Sequence, residues 1–174
     1  NYLDKETGNS IRTQKVVENK TFGDVITASD EIIAIDGYNF ESTSKTSITI
    51  GTGENVINIY YTRRNDLSYT MNFLEKDTNK VLAEPVTVGN LTFETIVSST
   101  GKAKTIEGYN YDSVDKQSLT IGTGVNEFNF YYTKKNDLSY TVNYLEQDTN
   151  KVLSPAKVVG NKTFEEEIIE SAID

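Results

Sequence analysis

The chain has 174 residues, with 26 Asp and Glu against 17 Lys and Arg, a formal net charge of −9 and a sequence pI near 4.6. That field repels polyanions, so nucleic acid and anionic membrane surfaces are excluded as partners, and no apolar run reaches the roughly 18 residues of a membrane span. Cys, His and Trp are absent, which removes thiolate and imidazole catalysis, most zinc, haem and iron–sulfur sites, and disulfides; no enzyme, metal or cofactor is expected.

The chain says one thing more than once. Asn65 to Leu82 reads NDLSYTMNFLEKDTNKVL, Asn136 to Leu153 reads NDLSYTVNYLEQDTNKVL, and the chain begins on the tail of the same phrase, NYLDKETG. Gly51-Thr52-Gly53 returns as Gly122-Thr123-Gly124, an offset of 122 − 51 = 71. Gly37-Tyr38-Asn39 returns as Gly108-Tyr109-Asn110, and Thr21-Phe22 as Thr92-Phe93 and Thr163-Phe164, all at the same offset and without a gap. A period of this size marks a tandem repeat.

Within a copy the elements follow in order. Leu67, Tyr69, Met71 and Phe73 alternate with Ser68, Thr70 and Asn72, the pattern of a half-buried strand, and Leu138, Tyr140, Val142 and Tyr144 keep it in the third copy. Glu75 to Lys80 (EKDTNK) is a turn. Val81 to Val88 resumes an extended run whose Pro85 suits an edge strand, so the front of a copy is a hairpin. Thr163 followed by Glu166 fits a capping box, and Phe164, Ile168 and Ala172 lie four apart, which predicts one or two turns of helix; Phe93, Ile96 and Val97 give a poorer version in copy two. The back half, from Gly108-Tyr109-Asn110 to Thr133, reads as strand, connection and strand, with a turn at Gly-Thr-Gly that calls for positive φ.

The unit is thus strand, strand, short helix, strand, strand. This order predicts an α+β fold of tandem small β-grasp (ubiquitin-like) repeats arranged end to end, with the first and last strands side by side in the centre of each sheet. Two groupings are open, since each back half could also form a hairpin with the following front half. The first is preferred, because Arg63 to Asp66 (RRND) and Lys134 to Asp137 (KKND) lack the Gly of a tight hairpin and read as solvated linkers. It sets copy one at residues 1–65 without the start of its first strand, copy two at 66–136 complete, and the front half of copy three at 137–174. That half copy is too small to hold itself and, if ordered, is expected to lean on a neighbouring molecule, with strand exchange one route.

The order SYTVNYLEQDTNKVLSPAKVVG, then Thr-Phe, then Gly-Tyr-Asn, then an aromatic ending such as Asn126 to Lys135 (NEFNFYYTKK) resembles the mucin-binding-protein (MucBP) repeat of Gram-positive bacterial surface proteins. One departure is that the family's Asp-Gly turn is here Asp-Thr-Asn, at Asp77 to Asn79 and Asp148 to Asn150, so a longer turn is expected. The resemblance implies an extracellular adhesin at the bacterial cell surface, anchored to the cell wall through a segment outside this fragment. Host glycan or mucin is the implied partner.

Tyr residues are the candidate sugar platforms. Tyr38, Tyr69, Tyr109 and Tyr140 sit on apolar faces or beside a glycine and read as core. Tyr60 and Tyr131 point away from the core residues Ile59, Tyr61, Phe130 and Tyr132 and are the surface binding candidates, with cross-strand packing the plainer role. The sequons at Asn19, Asn90 and Asn161 read as turn residues. Lys45 aligns with Lys116 and Asn58 with Asn129, the residue types of isopeptide cross-links. Two functions follow: a non-catalytic stalk or spacer, or a glycan-binding module acting by avidity.

Overall fold

The computed structural model describes residues 1–171, which form two compact units. The first comprises residues 1–69, 87–97 and 118–126, and the second the remaining described residues, so copy two contributes to both. Copy one supplies β1 (Tyr2–Asp4), β2 (Ser10–Arg12), β3 (Val25–Thr27), β4 (Tyr38–Thr43), β5 (Ser47–Thr49) and β6 (Ile59–Arg63). Copy two supplies β7 (Leu67–Glu75), β8 (Val81–Leu91), β9 (Ile96–Ser98), β10 (Tyr109–Val114), β11 (Ser118–Thr120) and β12 (Glu127–Lys134). The half copy supplies β13 (Leu138–Leu145) and β14 (Val152–Lys162).

Each of the first two copies builds the same pair of sheets. A four-stranded sheet runs β2-β1-β6-β4 in copy one and β8-β7-β12-β10 in copy two, and a two-stranded sheet is β3-β5 or β9-β11. The first and last strands of a copy are central and parallel, with Tyr2 opposite Ile59 and Phe73 opposite Phe130. In the outward register of this pair Asn1 donates from Nδ2 to Asn58 Oδ1 at 2.8 Å, and Asn72 to Asn129 at 2.9 Å. The half copy is the antiparallel hairpin β13-β14.

The α+β, helix-bearing β-grasp expected above is overturned: the regular structure of the described residues is strand apart from a single 3-10 turn at Ala28–Glu31. The reason lies at the Thr-Phe position. Glu94 (φ 66°) and Glu165 (φ 62°) are left-handed, and Gly23 (φ 90°) occupies the same place in copy one. The amide three residues along closes each turn, from Asp24 to Thr21 O at 3.0 Å, Thr95 to Thr92 O at 3.1 Å and Glu166 to Thr163 O at 3.0 Å. A positive φ at the third residue is the signature of a type II turn and ends any helix there. The capping box is half real: Thr163 N–H does donate to Glu166 Oε2 at 2.8 Å, but it braces this turn rather than opening a helix. β-branched Val25, Ile26, Ile96 and Val97 then continue as strand. Ala172, the last residue of the expected stripe, lies outside the described residues.

Two other turns use different chemistry from that expected. The left-handed position after β1 is Gly8 (φ 72°), and its counterparts are Asn79 (φ 56°) and Asn150 (φ 53°), the non-glycine residue that tolerates this region best. The Gly-Thr-Gly segments need no positive φ. Instead Asn55 Oδ1 accepts from Gly51 N–H at 2.9 Å while its Nδ2 donates to the Gly51 and Gly53 carbonyls, both at 3.0 Å. Asn126 does the same for Gly122 and Gly124. The sequon residues Asn19, Asn90 and Asn161 are left-handed, with φ between 54° and 57°, just ahead of the Thr-Phe turn.

The core is aromatic. Tyr2, Ile59 and Tyr61 form the centre of copy one, with Ile11, Ile32, Ile33, Ile35, Tyr38 and Ile57 packed around them. In the second unit Phe73 and Phe130, register partners on parallel strands, stack at 5.7 Å with an 18° interplanar angle. Tyr61 buries its ring yet spends its hydroxyl on one residue of the connection before β4, donating to Ile33 O at 2.9 Å and accepting from Ile33 N–H at 3.2 Å. Tyr132 repeats this on Lys104 at 2.9 and 3.0 Å. A core tyrosine therefore pins an irregular segment whose backbone groups would otherwise lack partners.

Replacing Tyr132 by Phe keeps the ring and strands both backbone groups of Lys104. The expected loss is about 1–3 kcal/mol in urea unfolding, with Tyr61→Phe matching it in copy one, whereas Tyr131→Phe should be near neutral.

Candidate functional site

Among the described residues, the arrangement that recurs with most detail is the seam where one copy meets the next. In the first unit Gly37 is left-handed at φ 77°, and the Phe93 ring of copy two lies where its side chain would be; an added Cβ would fall inside the ring's contact distance. Tyr38 meets the same ring edge to face, centroids 5.6 Å apart at 68°. The linker residue Arg64 is the hinge pin: its N–H donates to Gly37 O at 2.9 Å and its carbonyl accepts from Phe93 N–H at 2.8 Å. Around this lie the ion pairs of Arg63 with Asp4 at 3.2 Å and with Glu94 at 3.3 Å, and a hydrogen bond from Thr123 to Asp36 at 2.8 Å.

The second unit repeats the seam between copy two and the half copy. Gly108 (φ 76°) would place a Cβ 2.5 Å from the Phe164 ring, and Tyr109 meets that ring at 5.6 Å and 66°. Lys135 donates to Gly108 O at 2.9 Å and accepts from Phe164 N–H at 2.8 Å, while Lys134 pairs with Glu165 at 2.9 Å. Within the chain, the half copy is attached to copy two through Phe164.

A groove of about 460 Å³ runs beside each seam. Matching positions line both: Ile35 and Ile106, Tyr38 and Tyr109, Phe93 and Phe164, with Glu94 and Glu165 at the side. In the first groove Asp4, Thr7, Asn9, Ser10, Asp36 and Arg63 add polar groups. A third cleft, about 410 Å³, is lined by Val16, Ile26, Ile48, Ile50 and Ile57 together with polar Gln14, Lys15 and Glu31. The matching copy-two residues of its wall, Ile121 and Phe128, are fully buried, so it is a core-facing surface.

Asp4 is the most buried charge, 1 % exposed. Burial pushes its carboxyl pKa up, but the N–H groups of Thr7 and Glu6 and the Arg63 guanidinium together outweigh this and hold it below the ordinary value. Glu165 is held low by its hydrogen bond to Lys134.

Tyr60 and Tyr131 lie half-buried on the sheet face away from the core, and neither lines a groove beside a seam. Tyr60 faces Leu3 on one side and Ser42 on the other. Lys116 Nζ lies 3.3 Å from Asp115, whose other contacts are the Asn129 amide groups. Sequence reasoning missed Phe93 and Phe164 as seam residues, having placed them on a helix. The signal was present in Gly23, which occupies the turn position where the later copies carry Glu.

Two outcomes follow. Gly108→Ala costs about 1–2 kcal/mol for the left-handed backbone alone and drives a methyl into the Phe164 ring, so hydrogen exchange at the Phe164 amide should accelerate. Gly124→Ala, with open space around it, should leave that amide unchanged. For Asp4, a folded pKa below the unfolded value means stabilisation is complete above about pH 4 and is lost as pH falls through the folded value. The urea midpoint should therefore fall as pH drops below about 4. Asp4→Asn should cost about 1.5–3 kcal/mol at neutral pH and flatten that slope; parallel slopes in the two proteins would refute the assignment.

Comparison with known proteins adds the family. The MucBP domain family matches residues 1–62 and again 70–133. Among solved structures, the chain is similar to Streptococcal High Identity Repeats in Tandem (SHIRT) domains 3-4 from a cell surface protein, at 20% identity over 77% of this chain and 95% of that one, with a TM-score of 0.31. No curated protein matches the sequence. With two tandem matches over most of its length, the chain belongs to the MucBP domain family.

Proposed function

We propose that this repeat region is a non-catalytic spacer of an extracellular adhesin on the surface of a Gram-positive cell. The observation that carries this reading is the recurrence of the seam. The same glycine, tyrosine and linker amide receive the same phenylalanine at both copy boundaries. A chain of independent binding beads needs no such clamp, because flexible linkers serve avidity as well, whereas a spacer needs each copy fixed to the next. The boundaries near residues 65 and 136 are part of this proposal, the linker residues Arg64 and Lys135 acting as structural members of the seam. The family matched is a repeat domain, not an enzyme family, which supports a non-catalytic role.

A second reading, weak glycan or mucin binding repeated for avidity, is favoured by the family's name and by the groove that recurs beside both seams. A groove of this size with an aromatic wall and several polar groups suits one or two sugar units. Tyr60 and Tyr131 on the outer sheet face are the alternative platforms.

One variant separates the two readings. Phe93→Ala removes the ring and its partial burial, worth about 1–2 kcal/mol, and leaves each copy's own core intact. Spin labels on copy one and copy two should give a narrow distance distribution in the native chain and a broad one in the variant. An unchanged distribution would sink the spacer reading. Retention of the chain on immobilised mucin, lost on Arg63→Ala, would instead support the groove.

A further inference from the structure

Phe22 occupies the same repeat position as Phe93 and Phe164, yet its ring is 77% exposed, while those two are half-buried on Gly-Tyr pairs. Its turn is already built. Gly23 is left-handed, Asp24 N–H donates to Thr21 O at 3.0 Å, and Thr21 N–H donates to Asp24 Oδ2 at 2.8 Å, the same brace that Glu166 gives Thr163. The turn holds an apolar ring out in water. Both Gly-Tyr sockets of this chain are filled, by Phe93 and by Phe164.

We propose that the Thr21–Asp24 turn is a docking surface for one further repeat of this type, joined in register ahead of Asn1, whose Gly-Tyr pair receives Phe22. This rests on the reading of Phe93 and Phe164 as seam residues. A covalently joined repeat is the occupant because the pin at each seam is a linker residue. Arg64 and Lys135 each bond the socket glycine with the N–H and the incoming phenylalanine with the carbonyl, so socket, pin and ring belong to one continuous chain. Gly23 stands where Glu94 and Glu165 meet Arg63 and Lys134. The Phe22 seam therefore relies on the ring and the amide without an ion pair, and its docking is insensitive to salt.

The test compares the 174-residue chain with a longer one in which residues 1–71 are repeated in register ahead of Asn1. Position 22 of the original segment carries 4-fluorophenylalanine, and the readout is the fluorine solvent isotope shift between H₂O and D₂O. In the shorter chain position 22 should show the full shift of an exposed ring. In the longer chain it should fall to the value measured at position 93, with no dependence on salt. Gly37→Val in the added segment alone should return it to the exposed value. A shift at position 22 that does not change on extension, while position 93 stays protected, would overturn the proposal and leave the seam reading standing. Full exposure at position 93 itself would overturn both. Protection of position 22 in the shorter chain that grows with protein concentration would mean docking on a separate molecule, and would overturn the tandem assignment.

Discussion

The parallel pairing of a copy's first and last strands is the constraint on which the rest depends. β6 must run alongside β1 in the same direction, so a copy cannot close as a hairpin and its last strand leaves the sheet pointing onward. The linker then follows at once, Arg63 being the last residue of β6 and Leu67 the first of β7. With so few residues between strands, the seam has to be made from side chains already near the strand ends. Gly37, one residue before β4, and Arg64, one residue after β6, are what the geometry offers.

The seam works through a missing atom. A left-handed glycine leaves its outer side bare, and a phenyl ring fills the place of the Cβ. Backbone bonds on both sides of the linker residue fix the ring's approach, and the flanking tyrosine meets it edge to face, the arrangement aromatic quadrupoles favour. Opposite charges at Arg63 and Glu94, or Lys134 and Glu165, add to this at the solvent margin, where such pairs contribute little energy but help set orientation. The same machinery explains how a two-stranded half copy, marginal by itself, gains an attachment.

Each copy is small, without disulfides, and much of its length is irregular. It compensates by bonding side chains to backbone. Tyr61 and Tyr132 pin the connection before the back half, Asn55 and Asn126 brace the Gly-Thr-Gly loop, and Asp4 caps the first turn while accepting from Arg63. The tyrosine and asparagine bonds recur at the repeat spacing, which marks them as part of the fold, whereas the Asp4 bonds belong to copy one.

Much of this was legible in the residues themselves. The period, the alternating strands and the front hairpin follow from patterns that report local burial, because a strand's side chains alternate whatever surrounds it. The family followed from the same spaced positions. The Thr-Phe segment was not legible as a turn in copies two and three, where Glu and β-branched residues gave a helix-like spacing; only Gly23 in copy one betrayed the left-handed residue. Nor could the role of the phenylalanine be read, since an apolar residue in a periodic pattern looks the same whether it enters its own core or a neighbour's surface. The sequence by itself determined the repeat and the strands, which depend on each residue's own backbone and neighbours, whereas the positive φ expected at Gly-Thr-Gly lies elsewhere, at the Thr-Phe turns among other places. Tertiary structure alone decided that Phe93 and Phe164 cross to the preceding copy. That choice depends on a vacant Cβ position on a distant glycine, and no local pattern records it.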